Sequence, residues 1–180
     1  MEHERSARPK KKQFAATTAV TALTAQNTTG VHGIHAAPLE FIERQIEIVV
    51  RDLPPDAVKT GMLATEEIVE VVASKVRAHA LRNVVVDPVL VATSGDALAR
   101  GGVVSAYLRE LFPLATVVTP NIPEAEALLG LKAGSIQTAE DAARAARELH
   151  KFGPRWVLVK GWLLYTSPSP RDQRGARMAG

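Results

Sequence analysis

The sequence predicts an α/β fold with a mostly parallel central sheet and helices on both faces of that sheet. Short apolar segments rich in β-branched residues alternate with helix-patterned segments from Thr17 to Lys160. The segment Asn83–Asp87 is too uniformly apolar for a half-exposed strand and suits a parallel strand covered on both faces. Hydrophobic residues make up 46% of the 180 residues, which is enough to bury a core.

Local signals predict where the elements begin and end. Pro38 is tolerated in the first turn of a helix, and Pro54-Pro55 ends that helix. The acidic pair Glu66-Glu67 favours the start of the next helix, and Thr138 with Asp141 resembles a capping box. The predicted elements are a buried strand at Thr17–Thr24, a helix from Pro38 to Asp52 with Phe41, Ile42, Ile46, Val49 and Val50 on one face, a strand at Asp56–Thr60, a helix beginning at Glu66, a strand at Asn83–Asp87, a helix at Val103–Phe112, a strand at Thr116–Thr119, a helix at Pro123–Leu129, a helix from Thr138 to Gly153 and a strand at Trp156–Lys160.

Polar residues follow the predicted strands, at the edge where parallel sheets of this kind bind ligands. Two carboxylates, an amide and an ammonium group at one edge suit Mg²⁺ and phosphate, because the metal prefers hard oxygen ligands and a cation binds polyphosphate. The set predicts a phosphoryl-transfer site, although no Walker loop of the G-x-x-x-x-G-K-[ST] type is present in the sequence. The residues are Gln26 and Asn27, whose amides can pair with a heterocycle, Lys59 to Met62, Asp87, Asn121 with Glu124, and Lys160.

Each of these residues also has a purely structural interpretation. Asp87 after a strand is equally a turn or helix-cap residue, and the helix dipole favours Glu124 near a helix start. Asn121 before a proline-led helix is an ordinary N-terminal turn residue, and Lys160 can extend its aliphatic stem over apolar surface. The functional interpretation therefore depends on the set and not on any one residue.

Composition and charge argue against several other classes of function. The net charge of +3 is carried by the ends, since residues 1–12 have five basic and two acidic side chains and residues 171–180 have three and one. The middle of the chain is mildly acidic, which argues against a groove for nucleic acid. No apolar run approaches the ~20 residues needed to cross a membrane. Cysteine is absent, so disulfides and thiolate metal sites are excluded, and we expect a cytoplasmic protein.

Five stretches of the sequence, in order, carry a more specific pattern. They are Ala19–Gly30 (AVTALTAQNTTG), Val58–Leu63 (VKTGML), Val86–Asp96 (VDPVLVATSGD), Thr119–Glu124 (TPNIPE) and Val157–Gly161 (VLVKG). This pattern resembles the hydroxymethylpyrimidine and phosphomethylpyrimidine kinases, which have the ribokinase-like fold. The resemblance implies ATP-dependent phosphorylation of 4-amino-5-hydroxymethyl-2-methylpyrimidine and of its monophosphate in thiamine biosynthesis. It also implies ATP and Mg²⁺ as cofactors, a small pyrimidine as substrate, and a homodimer as an assembly open to the intact family.

The resemblance implies roles for seven residues. One residue would form a hydrogen bond with the pyrimidine ring through its side-chain amide. Two apolar side chains would line the faces of that ring. Two carboxylates would hold Mg²⁺ directly or through water, and an amide and an ammonium group would lie near the nucleotide phosphates. The amide at the ring is that of Gln26, and the apolar side chains are Met62 and Val89. The two carboxylates are Asp87 and Glu124, and the residues near the nucleotide phosphates are Asn121 and Lys160.

The two ends of the chain depart from the family pattern. Residues 1–13 form a basic tail in place of the family's opening strand and glycine-rich loop, and residues 165–180 are expected to be a non-native, disordered tail. No G-[ST]-G-[CD] element, which would supply the anion hole and the catalytic base, follows Lys160. Trp162 stands where the family has a second glycine. Residues 14–164 are therefore expected to form a partial kinase domain, truncated at both ends, and no catalytic base is assigned.

Two rival functions stay open on the sequence alone. A pyridoxal-type kinase of the same fold is the nearest, although the Ala-Gln-Asn-Thr stretch and Met62 favour the pyrimidine. The missing G-[ST]-G-[CD] element favours a non-catalytic binding remnant.

Overall fold

The computed structural model describes residues 15–90 and 102–161. The predicted tails at residues 1–13 and 165–180, Trp162 and the end of the Val86–Asp96 stretch lie outside the described residues. The described elements are β1 (Ala22–Asn27), β2 (Gly30–Ala36), α1 (Leu39–Asp52), β3 (Val58–Thr60), α2 (Glu66–Ala78), β4 (Val84–Val86), α3 (Val103–Ala106), which continues through a π-helical turn (Tyr107–Leu111) and a 3-10 turn (Phe112–Leu114), β5 (Val117–Val118), α4 (Ile122–Leu128), α5 (Ala139–His150) and β6 (Trp156–Val157).

Strands β3 to β6 form a parallel sheet in which they stand in chain order. Thr60 pairs with Val86, Val86 with Val118, and Val118 with Val157, so each strand is in register with the next. A helix lies in each connection between neighbouring strands, as parallel pairing requires. The predicted α/β class and parallel sheet are confirmed.

The two faces of this sheet differ in burial. Because side chains alternate along a strand, the register places Thr60, Val86 and Val118 on the same face, and all three are buried. The opposite face carries Val85, which is half-buried, and Trp156, which is 61% exposed. Helix cover over this second face stays a prediction.

The first predicted strand, Thr17–Thr24, is wrong in both its bounds and its environment. β1 begins at Ala22 and pairs antiparallel with β2, an unpredicted strand, in a separate two-stranded sheet. Asn27 closes the turn between them, because its side-chain oxygen accepts hydrogen bonds from the N–H groups of Thr29 (2.9 Å) and Gly30 (3.2 Å). β1 is largely exposed, with Leu23 at 62%, so it is not a strand of the buried sheet.

The predicted helices are present, with differences in detail. Pro38 is the N-cap residue of α1, and Ile42 is its fully buried side chain. Phe41, predicted on the same apolar face, is 54% exposed. The predicted capping box between Thr138 and Asp141 is present at the start of α5.

A close approach at Gly153 determines where β6 begins. Gly153 has φ +101°, and a Cβ atom there would lie 3.0 Å from Pro113 Cα. Two residues later the edge pairing starts, with the Arg155 N–H donating to the Ala115 oxygen (3.1 Å). This glycine therefore lets the chain pass close to Pro113 just before β6, whose pairing with β5 leads to Lys160 at the edge of the sheet.

Gly153→Ala is expected to lower the free energy of unfolding by about 2 kcal/mol or more. The left-handed backbone costs an L-residue about 1–2 kcal/mol, and a contact with backbone that cannot move aside adds about 1–3 kcal/mol. Urea unfolding followed by circular dichroism measures the loss. Gly134→Ala is the matched control, because its φ is +79° and a Cβ atom there would meet no described residue within 4 Å. Equal losses at the two positions would contradict the close approach to Pro113.

Candidate active site

The side chain of Asp87 lies between two lysines at the edge of the sheet that is formed by the C-terminal ends of the strands. Its Oδ1 atom is 2.6 Å from Lys160 Nζ, and its Oδ2 atom is 3.0 Å from Lys59 Nζ. Lys59 lies in β3, Asp87 directly follows β4, and Lys160 lies beyond β6. The Asp87 side chain is 15% exposed, whereas those of Lys59 and Lys160 are 63% and 42% exposed. We call these three residues the strand-end cluster.

Strand register places Lys59 and Asp87 on the same face of the sheet. Lys59 is in register with Val85, and Asp87 lies two residues after Val85 along the chain. Side chains two residues apart in a strand point to the same face, so Lys59 and Asp87 meet. On the other side, Lys160 forms a parallel bridge with Asn121, and its N–H donates to the Pro120 oxygen at 2.7 Å.

Burial and the two ammonium groups act in opposite directions on the pKa of Asp87. Burial raises that pKa, and the hydrogen bonds from Lys160 and Lys59 together lower it by more. The net effect holds the pKa of Asp87 below its usual value. Asp87 is therefore a carboxylate throughout the neutral range.

Glu124, the second carboxylate, is buried in the first turn of α4 and is only 2% exposed. It forms a capping box with Asn121. The Asn121 N–H donates to Glu124 Oε2, and the Glu124 N–H donates to Asn121 Oδ1, both at 2.8 Å. Burial raises the pKa of Glu124, the charge of Asp87 acts in the same direction, and the Asn121 N–H and Lys160 oppose them. The pKa values of the two carboxylates are therefore shifted in opposite directions.

Asp87 and Glu124 are candidate ligands for a Mg²⁺ ion whose coordination a bound phosphate would complete. Within residues 15–90 and 102–161, no three acidic, histidine or cysteine side chains come together as a metal cage. Mg²⁺ is usually bound by one or two carboxylates together with waters and substrate phosphates. Asp87 and Glu124 supply such a pair, and the two lysines beside Asp87 suit the phosphates.

The segment after β3 accepts a hydrogen bond from the buried side chain of Tyr107. The Tyr107 hydroxyl donates to the Gly61 oxygen at a long 3.5 Å. The side chain is fully buried at the start of the π-helical turn, and this burial raises the pKa of Tyr107. Thr60, one residue before Gly61, has a buried hydroxyl with no hydrogen-bond partner in the described part of the chain. The segment is thus fixed by its backbone.

The three residues expected at the pyrimidine ring are placed differently. Met62 is half-buried, and its carbonyl oxygen accepts the Thr21 hydroxyl at 3.0 Å. Val89 is half-buried, and its N–H donates to the Asp87 carbonyl oxygen at 2.9 Å. Gln26 is exposed on β1, and no hydrogen bond between described residues joins it to the strand-end cluster. Met62 and Val89 lie at the same sheet edge as Asp87, and the roles of all three stay predictions.

Sequence reasoning missed two residues of this edge. Lys59 falls in a stretch expected to face the ligand but receives no role there, because its pairing with Asp87 depends on strand register. Tyr107 is predicted only as part of a helix, and no local signal shows that its hydroxyl reaches Gly61. The π-helical turn that begins at Tyr107 is a feature often found at functional sites, but it has no clear sequence signature.

Comparison with known proteins decides the family. The family model described as phosphomethylpyrimidine kinase matches residues 10–173, which include the whole strand-end cluster, Asn121 and Glu124. The chain belongs to the phosphomethylpyrimidine kinase family. A solved relative within the family, phosphomethylpyrimidine kinase from Clostridium difficile 630, is 39% identical with a TM-score of 0.72 over 81% of this chain and 62% of that chain.

Two further comparisons place this family member among its neighbours. The probable thiamine biosynthetic bifunctional enzyme, chloroplastic, of Oryza sativa subsp. japonica is 46% identical over 138 residues, which are 77% of this chain and 25% of that protein. Pyridoxal kinase from Staphylococcus aureus, solved in complex with AMP-PCP and pyridoxal, is 36% identical with a TM-score of 0.68 over 79% of this chain and 50% of that chain. The ribokinase-like fold expected from the sequence is confirmed by these structures.

The chain spans a quarter to a half of the length of these curated relatives. The share is 25% for the rice protein and 46% for the hydroxymethylpyrimidine/phosphomethylpyrimidine kinase of Bacillus subtilis. In the part of this phosphomethylpyrimidine kinase family member that the structure describes, no helix has the length and apolar character needed to cross a membrane.

Asp87→Asn is expected to destabilise the protein at neutral pH and to do so less as the pH falls. A carboxyl group whose folded pKa is lowered stabilises the fold above its unfolded pKa, about 3.9, and loses that contribution as the pH falls through the folded value. The difference in unfolding free energy between wild type and variant should therefore be constant above about pH 5 and shrink below about pH 4. Urea unfolding between pH 3 and pH 7 measures it.

Asp52→Asn is the control at pH 7, because Asp52 is exposed and has no ion pair within the described residues. It should leave the unfolding free energy almost unchanged. A loss for Asp87→Asn that is the same at pH 3 and pH 6 would contradict the ion pairs with the two lysines.

Proposed function

We propose that this chain forms the nucleotide-binding and acceptor-binding part of a kinase that acts in thiamine biosynthesis. The reaction is transfer of phosphate from ATP to 4-amino-5-hydroxymethyl-2-methylpyrimidine and to its monophosphate. The observation that carries the proposal is the strand-end cluster, with Glu124 buried on the neighbouring helix, at the edge where such sheets bind ligands. The family match and the name of the Bacillus subtilis relative support the same assignment.

The nucleotide phosphates would lie beside Lys160 and Asn121 in this proposal. The Lys160 side chain is 42% exposed, so exchanging its ion pair with Asp87 for one with a phosphate costs little. Asn121 is held by its capping box with Glu124, which also orients the Glu124 carboxylate. Two lysines and two carboxylates give the edge a balanced charge before any ligand arrives.

Asp87 and Glu124 would hold Mg²⁺. When bound, the ion would neutralise negative charge that develops on the phosphates during transfer. The capping-box hydrogen bond keeps Glu124 Oε2 in a fixed position. The lowered pKa of Asp87 keeps that carboxylate deprotonated and available.

The acceptor would lie on the β3 and β4 side of the edge. Met62 and Val89 would contact the apolar faces of the ring, and the exposed amide of Gln26 would pair with its polar edge. In the transfer, an acceptor oxygen forms a bond to the γ-phosphorus, the bond to ADP breaks, and the acceptor loses a proton. No residue of this chain is assigned as the base that takes this proton, because the sequence has no G-[ST]-G-[CD] element.

A pyridoxal-type kinase is the second candidate. The likeness to the Staphylococcus aureus pyridoxal kinase favours it, since that protein was solved with pyridoxal and has the same fold. Its identity of 36% is below the 39% of the Clostridium difficile phosphomethylpyrimidine kinase, and the family model carries the pyrimidine name. Comparing the affinities of this chain for the pyrimidine and for pyridoxal decides between the two.

The cellular compartment, the partners and the oligomeric state are part of the same proposal. We expect a cytoplasmic protein without nucleic-acid or membrane partners, and a homodimer is an assembly open to the intact family. The rice relative is named as chloroplastic, so an organelle is the other compartment to test by microscopy of the tagged protein. Analytical ultracentrifugation tests the homodimer.

Lys160→Gln is expected to weaken the binding of Mg²⁺ and AMP-PCP by about ten-fold, because a charge-assisted hydrogen bond to phosphate is lost. Isothermal titration calorimetry measures the dissociation constant. Lys151→Gln is the matched control, since Lys151 is also exposed and also paired with one carboxylate, that of Glu148, but lies in the turn after α5. Unchanged nucleotide affinity in Lys160→Gln would count against this nucleotide site. Tight binding of pyridoxal without measurable binding of the pyrimidine would favour the second candidate.

A further inference from the structure

Lys59 is the cation of the strand-end cluster that the proposed nucleotide site does not use. It lies on β3, at one edge of the described sheet, whereas Lys160 lies beyond β6 at the other edge. The two ammonium groups therefore approach Asp87 from opposite sides, and each bonds a different carboxylate oxygen. Lys59 thus shares its carboxylate partner with a second cation, and its ammonium group can also pair with another anion.

The geometry leaves Lys59 able to bind such an anion without leaving its place. A lysine ammonium has three N–H donors, and the described residues take up one of those of Lys59, through Asp87 Oδ2 at 3.0 Å. The side chain is 63% exposed, so its remaining donors face solvent. Asp87, which is only 15% exposed, thus acts as a fixed support that holds the ammonium group at the edge of the sheet.

The backbone at Gly61, two residues after Lys59, is not crowded by other described residues. A Cβ atom built on Gly61 would meet no atom of the described residues within 4 Å. Gly61 is followed by Met62, one of the residues proposed to contact the ring. A substituent of an acceptor that contacts Met62 would therefore lie on the same side of the site as Lys59.

We propose that Lys59 binds the phosphate of the monophosphorylated acceptor and so favours the second phosphorylation over the first. The proposal rests on the proposed function, because it assumes that the acceptor lies on the β3 side. A phosphate monoester carries nearly two negative charges at pH 7, whereas the hydroxymethyl group of the first acceptor carries none. An ammonium group held at this position attracts the monophosphate and adds little for the alcohol. Lys59 forms no bond to the transferred group and takes no proton; it is a specificity-determining residue.

The test is the ratio of two dissociation constants of the full chain, measured by isothermal titration calorimetry. One ligand is 4-amino-5-hydroxymethyl-2-methylpyrimidine, and the other is its monophosphate. Lys59→Gln should reduce the preference for the monophosphate by about ten-fold, as expected for the loss of one charge-assisted contact. Lys59→Arg should restore most of that preference, because the positive charge returns.

Lys151→Gln is the matched control. Its side chain is 67% exposed and is 2.7 Å from a single carboxylate, close to the 63% and 3.0 Å of Lys59, but it lies away from the strand-end cluster. It should leave both dissociation constants unchanged. Circular dichroism confirms that each variant is folded.

Three results would overturn the inference. If Lys59→Gln leaves the ratio unchanged while wild type binds both acceptors, Lys59 does not read the phosphate and the proposed function stands. If Lys59→Gln instead weakens AMP-PCP with Mg²⁺ and leaves the ratio unchanged, Lys59 belongs to the nucleotide site. If wild type binds neither acceptor, the proposed function itself fails and the inference fails with it.

Discussion

The ion pairs of Asp87 are the interaction on which the rest of this site depends. Parallel strands bring the ends of β3, β4 and β6 to one edge, and a single carboxylate then connects them through Lys59 and Lys160. The backbone prepares this position, since the Asp87 N–H donates to the Thr60 oxygen at 3.3 Å. The carboxylate is mostly buried while its partners are exposed, so the acid is the fixed member and the two cations can exchange partners. A site for phosphates benefits from that arrangement, because its cations are held near the edge before a ligand arrives.

The second carboxylate has the opposite environment. Glu124 is buried, carries a raised pKa and is fixed by its capping box with Asn121, whereas Asp87 has a lowered pKa and two ammonium partners. Two neighbouring acids whose pKa values are shifted apart are common at functional sites, although structural networks produce such shifts as well. The purely structural interpretation of Glu124 is in part correct, since it does cap α4. One side chain thus orders a helix start and lies at the proposed metal site.

The sequence predicts most of the sheet and part of the site, and the reason differs from residue to residue. The centre of the segment Asn83–Asp87 is uniformly apolar because β4 is central and buried. The sequence therefore predicts both the position of this strand and the polar residue at its end. It does not predict the hairpin, because Ala, Thr, Gly and His in β1 and β2 give neither alternation nor a buried run. Asn27 with Gly30 was an available turn signal, since an asparagine side chain often closes such a turn. Lys59 and Tyr107 depend on contacts across 28 and 46 residues, which no local pattern contains.

The most direct test of this account is a double-mutant cycle between Asp87→Asn and Lys160→Gln, measured as unfolding free energies at pH 7. Contacting residues in one ion-pair network usually show coupling energies of about 0.5–3 kcal/mol, whereas distant sites are additive. We expect a favourable coupling of about 0.5 kcal/mol or more for this pair. Additive effects of the two substitutions would mean that Asp87 does not hold β4 and β6 together at the edge, and would contradict the account.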